Sequence, residues 1–93
     1  MIRSFADRDT QRLFDRSPVS RFPRELQRSM LRKLLVLDAA ESLTDLRSPP
    51  GNRLEKLQGR RAGQLSIRIN DQWRICFRWH ESGALDVTIV DYH

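Results

Sequence analysis

The chain changes its hydrophobic period partway along. Within residues 24–41, RELQRSMLRKLLVLDAAE, Leu26, Met30, Leu34 and Leu37 recur at steps of four, four and three. That spacing aligns them on one side of an α-helix. Leu31 and Leu35 widen the stripe, while Arg24, Arg28, Arg32 and Lys33 lie largely off it. Pro23 suits the first turn, where its missing N–H is not required. From residue 65 the period falls to two. Leu65, Ile67 and Ile69 alternate with Ser66 and Arg68; Trp73, Ile75, Phe77 and Trp79 alternate with Arg74, Cys76 and Arg78. A third run places Leu85, Val87 and Ile89 on one face and Asp86, Thr88 and Val90 on the other. Three alternating runs joined by short polar turns predict an antiparallel meander with one buried face.

The remaining segments complete the outline. MIRSF is a short candidate strand, with Ile2 and the Phe5 region facing a core. In DRDTQRLFDR, Asp7 or Asp9 can cap a short helix that buries Leu13 and Phe14. SPVSRFP and SPPGN break the pattern as connectors. RLEKLQGRRAGQ reads as a short strand or turn leading into a basic loop. The expected fold class is α+β, one domain over residues 1–93, with helices from the first half covering one face of a sheet from the second.

Charge sharpens this picture. Residues 47–78 carry Arg47, Arg53, Lys56, Arg60, Arg61, Arg68, Arg74 and Arg78 against only Glu55 and Asp71, a net +6 where the whole chain is +5. A concentrated positive segment rich in arginine fits a polyanion through bidentate phosphate contacts; the plain alternative is a solubilising surface. No stretch is long and apolar enough for a membrane span, and residues 1–20 are too charged for a secretory signal. The single Cys76 has no intramolecular disulfide partner and no metal-binding companion. A cytoplasmic protein with no membrane association, cofactor or metal is expected.

The alternation also gives candidate chemistry a geometry. Arg68, Arg74 and Arg78 point away from the core face, and Tyr92 shares their side. Asp91 and His93 have the opposite parity, although a bulge or a frayed strand end would let His93 swing round, so spacing leaves it undecided. Converging with Arg74 and Arg68, Asp91, Tyr92 and His93 would supply what RNA cleavage needs. A base takes the ribose 2′-OH proton, cations stabilise the phosphate oxygens, and an acid protonates the departing 5′ oxygen. Imidazole serves either proton-transfer role because its unperturbed pKa is roughly 6.5. Tyrosine acts as a base only beside positive charge. Asp91 would orient His93 or Tyr92. The plainer alternative is that Asp-Tyr-His simply ends a strand. His80 reads as solvated in its turn, Trp73 and Trp79 as core or half-core, and Cys76 as a small filler.

The residues also carry a resemblance. Leu54-x-x-Leu57-x-Gly59, Ser66-Ile-Arg-Ile-Asn70, Gln72-Trp-Arg-Ile-Cys-Phe77 and the Asp91-Tyr92-His93 terminus closely resemble the HigB-type toxins of the RelE/ParE superfamily. MIRSF and the long helix fit the same family, so the similarity spans nearly the whole chain. It implies a RelE-like fold, with an N-terminal strand and two helices on a small antiparallel sheet. It also implies the toxin of a type II toxin–antitoxin pair, an endoribonuclease cutting mRNA, typically on the ribosome. By the same resemblance Arg74, Asp91, Tyr92 and His93 are catalytic, while Lys56, Arg60 and Arg61 contact RNA; Arg68, on the face of Arg74, is expected to join them. Two positions depart from the pattern: Gln58 stands where relatives often carry lysine, and Glu55 where some carry a catalytic histidine, so that either Glu55 replaces it as a base or the site leans entirely on His93. The implied partners are mRNA, the ribosome and a cognate HigA-like helix-turn-helix antitoxin, with operator DNA bound only through the antitoxin complex. Two rival readings are a non-catalytic RNA- or ribosome-binding module and a ParE-like topoisomerase inhibitor.

Overall fold

The computed structural model describes residues 1–92. Its elements are α1 (Arg8–Phe14), α2 (Arg24–Ala39), β1 (Glu55–Lys56), β2 (Leu65–Arg68), β3 (Trp73–His80) and β4 (Gly83–Asp91), with single 3₁₀ turns at Leu43–Arg47, Pro50–Asn52 and Gly59–Arg61. The four strands form one antiparallel sheet in the order β1-β2-β3-β4. The predicted N-terminal strand is reduced to two isolated bridges, Ile2 with Ala84 and Phe5 with Val87, both parallel to β4. Backbone hydrogen bonds from Arg3 N to Ala84 O (2.8 Å) and Val87 N to Ser4 O (3.0 Å) cover that edge. β1 is left as the open one.

The apolar stripe of α2 lies on one face of the sheet. Met30, Leu34 and Leu37 are buried together with Ile67, Ile75, Phe77, Val87 and Ile89. Leu26 is only partly buried, and Leu35, expected to widen the stripe, is exposed. It sits one helical step beyond the face that the sheet covers. α1 begins at Asp7, whose carboxylate accepts from Thr10 N (2.9 Å) and Thr10 Oγ1 (2.8 Å). The same carboxylate accepts from Thr88 Oγ1 (2.7 Å), and Thr10 Oγ1 accepts from Ile89 N (3.1 Å). One N-cap thereby stitches α1 to β4.

The β3–β4 hairpin departs from strict alternation at one point. Cys76 pairs with Thr88, but Arg78 pairs with Leu85, so one residue of β3 faces two of β4. Asp86 takes up the extra length with φ +53°, as the bulged residue of a β-bulge often does. Below the bulge Leu85 therefore sits on the arginine side, half-buried, and Ala84 takes the core position that alternation assigns to Leu85. Above it Val87 and Ile89 keep their predicted burial. The turn at Glu81 and Ser82 has positive φ at both residues (47° and 65°). This twist suits a two-residue hairpin connection.

Candidate active site

The register of the sheet defines the face opposite α2. Glu55 pairs with Ser66, Ser66 with Cys76, and Arg74 with Arg68 on one side and Val90 on the other. Arg74 lies at the centre of this face and is itself buried; alternation predicts its direction but not its burial. Its guanidinium is held at several points. Nε donates to Ser66 Oγ at 2.9 Å, and Nη2 to the carbonyl of Arg53 at 2.7 Å. Nη1 lies 3.5 Å from Glu55 Oε1. The Tyr92 ring stands over the group, with its centroid 5.6 Å from Cζ, a cation–π distance.

Each support has a local cause. Arg53 adopts the left-handed conformation (φ 45°, ψ 58°) after the 3₁₀ turn Pro50–Asn52, and its carbonyl accepts from Arg74. Asn52, fully buried, fixes that turn: Nδ2 donates to the carbonyls of Leu46 (3.3 Å) and Ser48 (3.4 Å), and Oδ1 accepts from Lys33 of α2. Burial, reinforced by Arg68 and Arg32, pulls Lys33 below the ordinary lysine range. Tyr92 is placed by its backbone N–H, which donates to Gln72 O at 2.6 Å, and its side chain is exposed.

The other sequence-predicted residues divide. Arg68 pairs in register with Arg74 and donates to Asp71 Oδ1 at 2.5 Å. That bond and the arginine charge hold Asp71 below its usual value. Arg61, bonded to Gln64 Oε1 at 3.1 Å, lies close enough to Cys76 for its charge to be felt there. Arg60 is exposed in the same turn. Lys56 pairs with Leu65, so it faces the opposite side of β1 from Glu55. Asp91 is not gathered at Arg74. It pairs with Trp73, and its Oδ2 accepts from Gln72 Nε2 at 3.1 Å. The expectation that Asp91 converges with Arg74 is corrected by the pleat, which turns consecutive side chains to opposite faces. His93 lies outside the described residues. Sequence reasoning did not single out Arg53, Asn52 or Lys33 as supports; only the even parity of Ser66 and Arg74 signalled that they share a side.

Two helices on one face of a four-stranded antiparallel sheet make the α+β frame of a RelE-like toxin. The profile of HigB, a RelE-like toxin of type II toxin–antitoxin systems, matches residues 3–93, and the chain belongs to that family. Membership implies an antitoxin partner. Toxin HigB-1 of Vibrio cholerae serotype O1 is 46% identical over 71 residues, covering 76% of this chain and 74% of that protein. An uncharacterized protein of Haemophilus influenzae is 36% identical over 74 residues, 80% of this chain and 72% of its own. Endoribonuclease HigB of Proteus vulgaris is 29% identical over 93 residues, spanning the whole of both chains.

Proposed function

We propose that this toxin is an endoribonuclease that cleaves mRNA on the ribosome by general acid–base chemistry. The supporting observation is the stacked pair of Arg74 and Tyr92, 5.6 Å apart, with the Glu55 carboxylate 3.5 Å from the same guanidinium. A phosphate entering this face displaces Glu55 from Nη1 and takes a charge-assisted bond in its place. Glu55, released and about half exposed, accepts the ribose 2′-OH proton. The 2′ oxygen attacks phosphorus and the bond to the 5′ oxygen breaks. The products are a 2′,3′-cyclic phosphate and a 5′-hydroxyl, the leaving oxygen taking its proton from Tyr92 or His93. Arg74, already clamped by Ser66 and Arg53, meets the developing negative charge with little reorganisation. Arg61 and Arg68 hold flanking phosphates. Between catalytic events a HigA-like helix-turn-helix antitoxin neutralises the toxin, and the complex binds operator DNA through that antitoxin.

The test is induction in growing cells with mapping of mRNA 5′ ends. Wild type is expected to arrest growth and create new 5′-hydroxyl ends within coding regions. Tyr92→Phe and Arg74→Ala are expected to abolish both while still binding the antitoxin. New 5′-hydroxyl ends persisting in both variants would remove Arg74 and Tyr92 from the chemistry, and growth arrest by wild type without new ends would leave binding, not cleavage, as the activity.

A further inference from the structure

Beyond β1, on the side away from Arg74, a groove of about 340 Å³ is lined by Leu43, Lys56, Leu57, Gly63, Gln64, Leu65 and Trp79. Its size falls in the range of small-molecule clefts. One wall is the half-buried indole of Trp79, braced edge-on by Phe77 with ring centroids 6.5 Å apart. At the rim, Lys56 is exposed and makes no side-chain hydrogen bond or ion pair among the described residues. Gln64 has its Oε1 occupied by Arg61, which leaves its amide N–H groups free to donate into the groove. Gly63 in the lining has φ +91°, a backbone conformation that residues with a side chain rarely adopt.

An aromatic wall, an amide donor and an unpaired cation are the parts from which proteins build base pockets, the stacking giving affinity and the amide a hydrogen bond that distinguishes one base edge from another. The position supports the same occupant. Glu55, at the clamped arginine, and Lys56, at the groove, are adjacent residues on the open edge of the sheet. A strand of RNA held at Arg74 reaches the groove by crossing that edge. We propose that this groove is a nucleobase subsite, in which a base a few nucleotides from the cut stacks on Trp79 while Lys56 holds the adjoining phosphate. The inference rests on the nuclease reading above and adds a determinant of cleavage preference to it.

The experiment compares mapped cleavage sites for wild type, Trp79→Leu, Trp79→Phe and Leu43→Phe, all induced as full-length toxin. Wild type is expected to show a nucleotide bias at one flanking position, separate from the nucleotides bracketing the cut. Trp79→Leu, which removes the stacking face, should weaken that bias about fivefold or more and leave the bracketing preference alone. Trp79→Phe should restore most of it. Leu43→Phe narrows the groove from its other wall without touching the indole, and should erode the same bias even where Trp79→Leu fails to fold. Cleavage with an unchanged flanking bias in Leu43→Phe overturns the subsite and leaves the nuclease reading standing. So does Trp79→Leu losing antitoxin protection with its bias intact, which would give the groove to the antitoxin. Absence of any cleavage by wild type overturns both.

Discussion

Ser66 Oγ accepts from Arg74 Nε at 2.9 Å across the β2–β3 pair, with both side chains withdrawn from water. Removing the hydroxyl leaves a charged donor buried and unpaired, at a cost of about 1–3 kcal/mol. Ser66→Ala is therefore expected to lower stability by that amount in urea unfolding and to reduce toxicity as well. Arg74→Lys breaks the same bond and the one to Arg53, so it should cost at least as much, about 1–3 kcal/mol. It should also abolish growth arrest outright, since an ammonium cannot reproduce the guanidinium fork. Full toxicity in Ser66→Ala despite its lost stability would mean that Ser66 does not position Arg74.

The bulge at Asp86 makes a prediction contrary to simple alternation. Because Ala84 is fully buried and Leu85 faces the arginine side, Ala84→Leu should overpack the core and cost about 1–3 kcal/mol. Leu85→Ser should cost under about 1 kcal/mol. Chemical denaturation decides between the two registers, since regular alternation gives the opposite ranking.

Asp7 links stability to pH. Partial burial alone would raise its pKa, but hydrogen bonds from Thr88 and Thr10, with the charge of Arg21, outweigh that and hold the carboxyl below its ordinary value. A depressed folded-state pKa means that the contribution is complete above the unfolded pKa and disappears as pH falls through the folded one. Asp7→Asn caps as well but accepts the bonds from Thr10, Thr88 and Arg21 without charge. It is therefore expected to be less stable than wild type by about 1 kcal/mol at pH 7, with the gap closing below pH ~4. A gap that stays constant down to pH ~2.5 would show that the charge contributes nothing.

Cys76 reports on opening of the sheet. Burial pushes its thiol up, against the opposing pull of Arg61 and Arg74. Alkylation requires an accessible thiolate, so the native protein at pH 8 should label at least ~100-fold more slowly than the protein in urea. Fast labelling of the folded chain would mean that the face around Arg74 opens locally.

Local pattern carried a good share of this architecture. The stripe of Met30, Leu34 and Leu37 foretold which face of α2 packs, and Asp7 or Asp9 announced α1, Asp7 being the one that caps it. The parity of Arg74 and Tyr92 placed both on one side of the sheet, as the 5.6 Å stacking bears out geometrically. The hidden part depends on long-range contacts. Nothing near Arg74 in sequence reveals that Arg53, 21 positions earlier, turns a left-handed carbonyl toward it. Asn52 looks like an ordinary turn residue until Lys33, Leu46 and Ser48 close around it. Asp86 carries no glycine to advertise a positive φ, so the bulge was invisible and Leu85 was assigned to the wrong side. For Asp91 the alternation and the family resemblance disagreed, and the structure sides with the alternation: Asp91 pairs with Trp73, on the other parity from Tyr92.

That extra residue on β4 also sets the phase of the terminus. With the Glu81–Ser82 turn fixed, an unbulged ladder would pair Arg74 with Ile89 and carry the phenol of Tyr92 round to the helix-covered side. Deleting Asp86 straightens the ladder and keeps every later pairing, whereas inserting one residue beside it trades Tyr92 for Asp91 over the guanidinium. Length variation at this hairpin is thus asymmetric: the Tyr92 ring keeps its place over Arg74 in a shorter strand and loses it in a longer one.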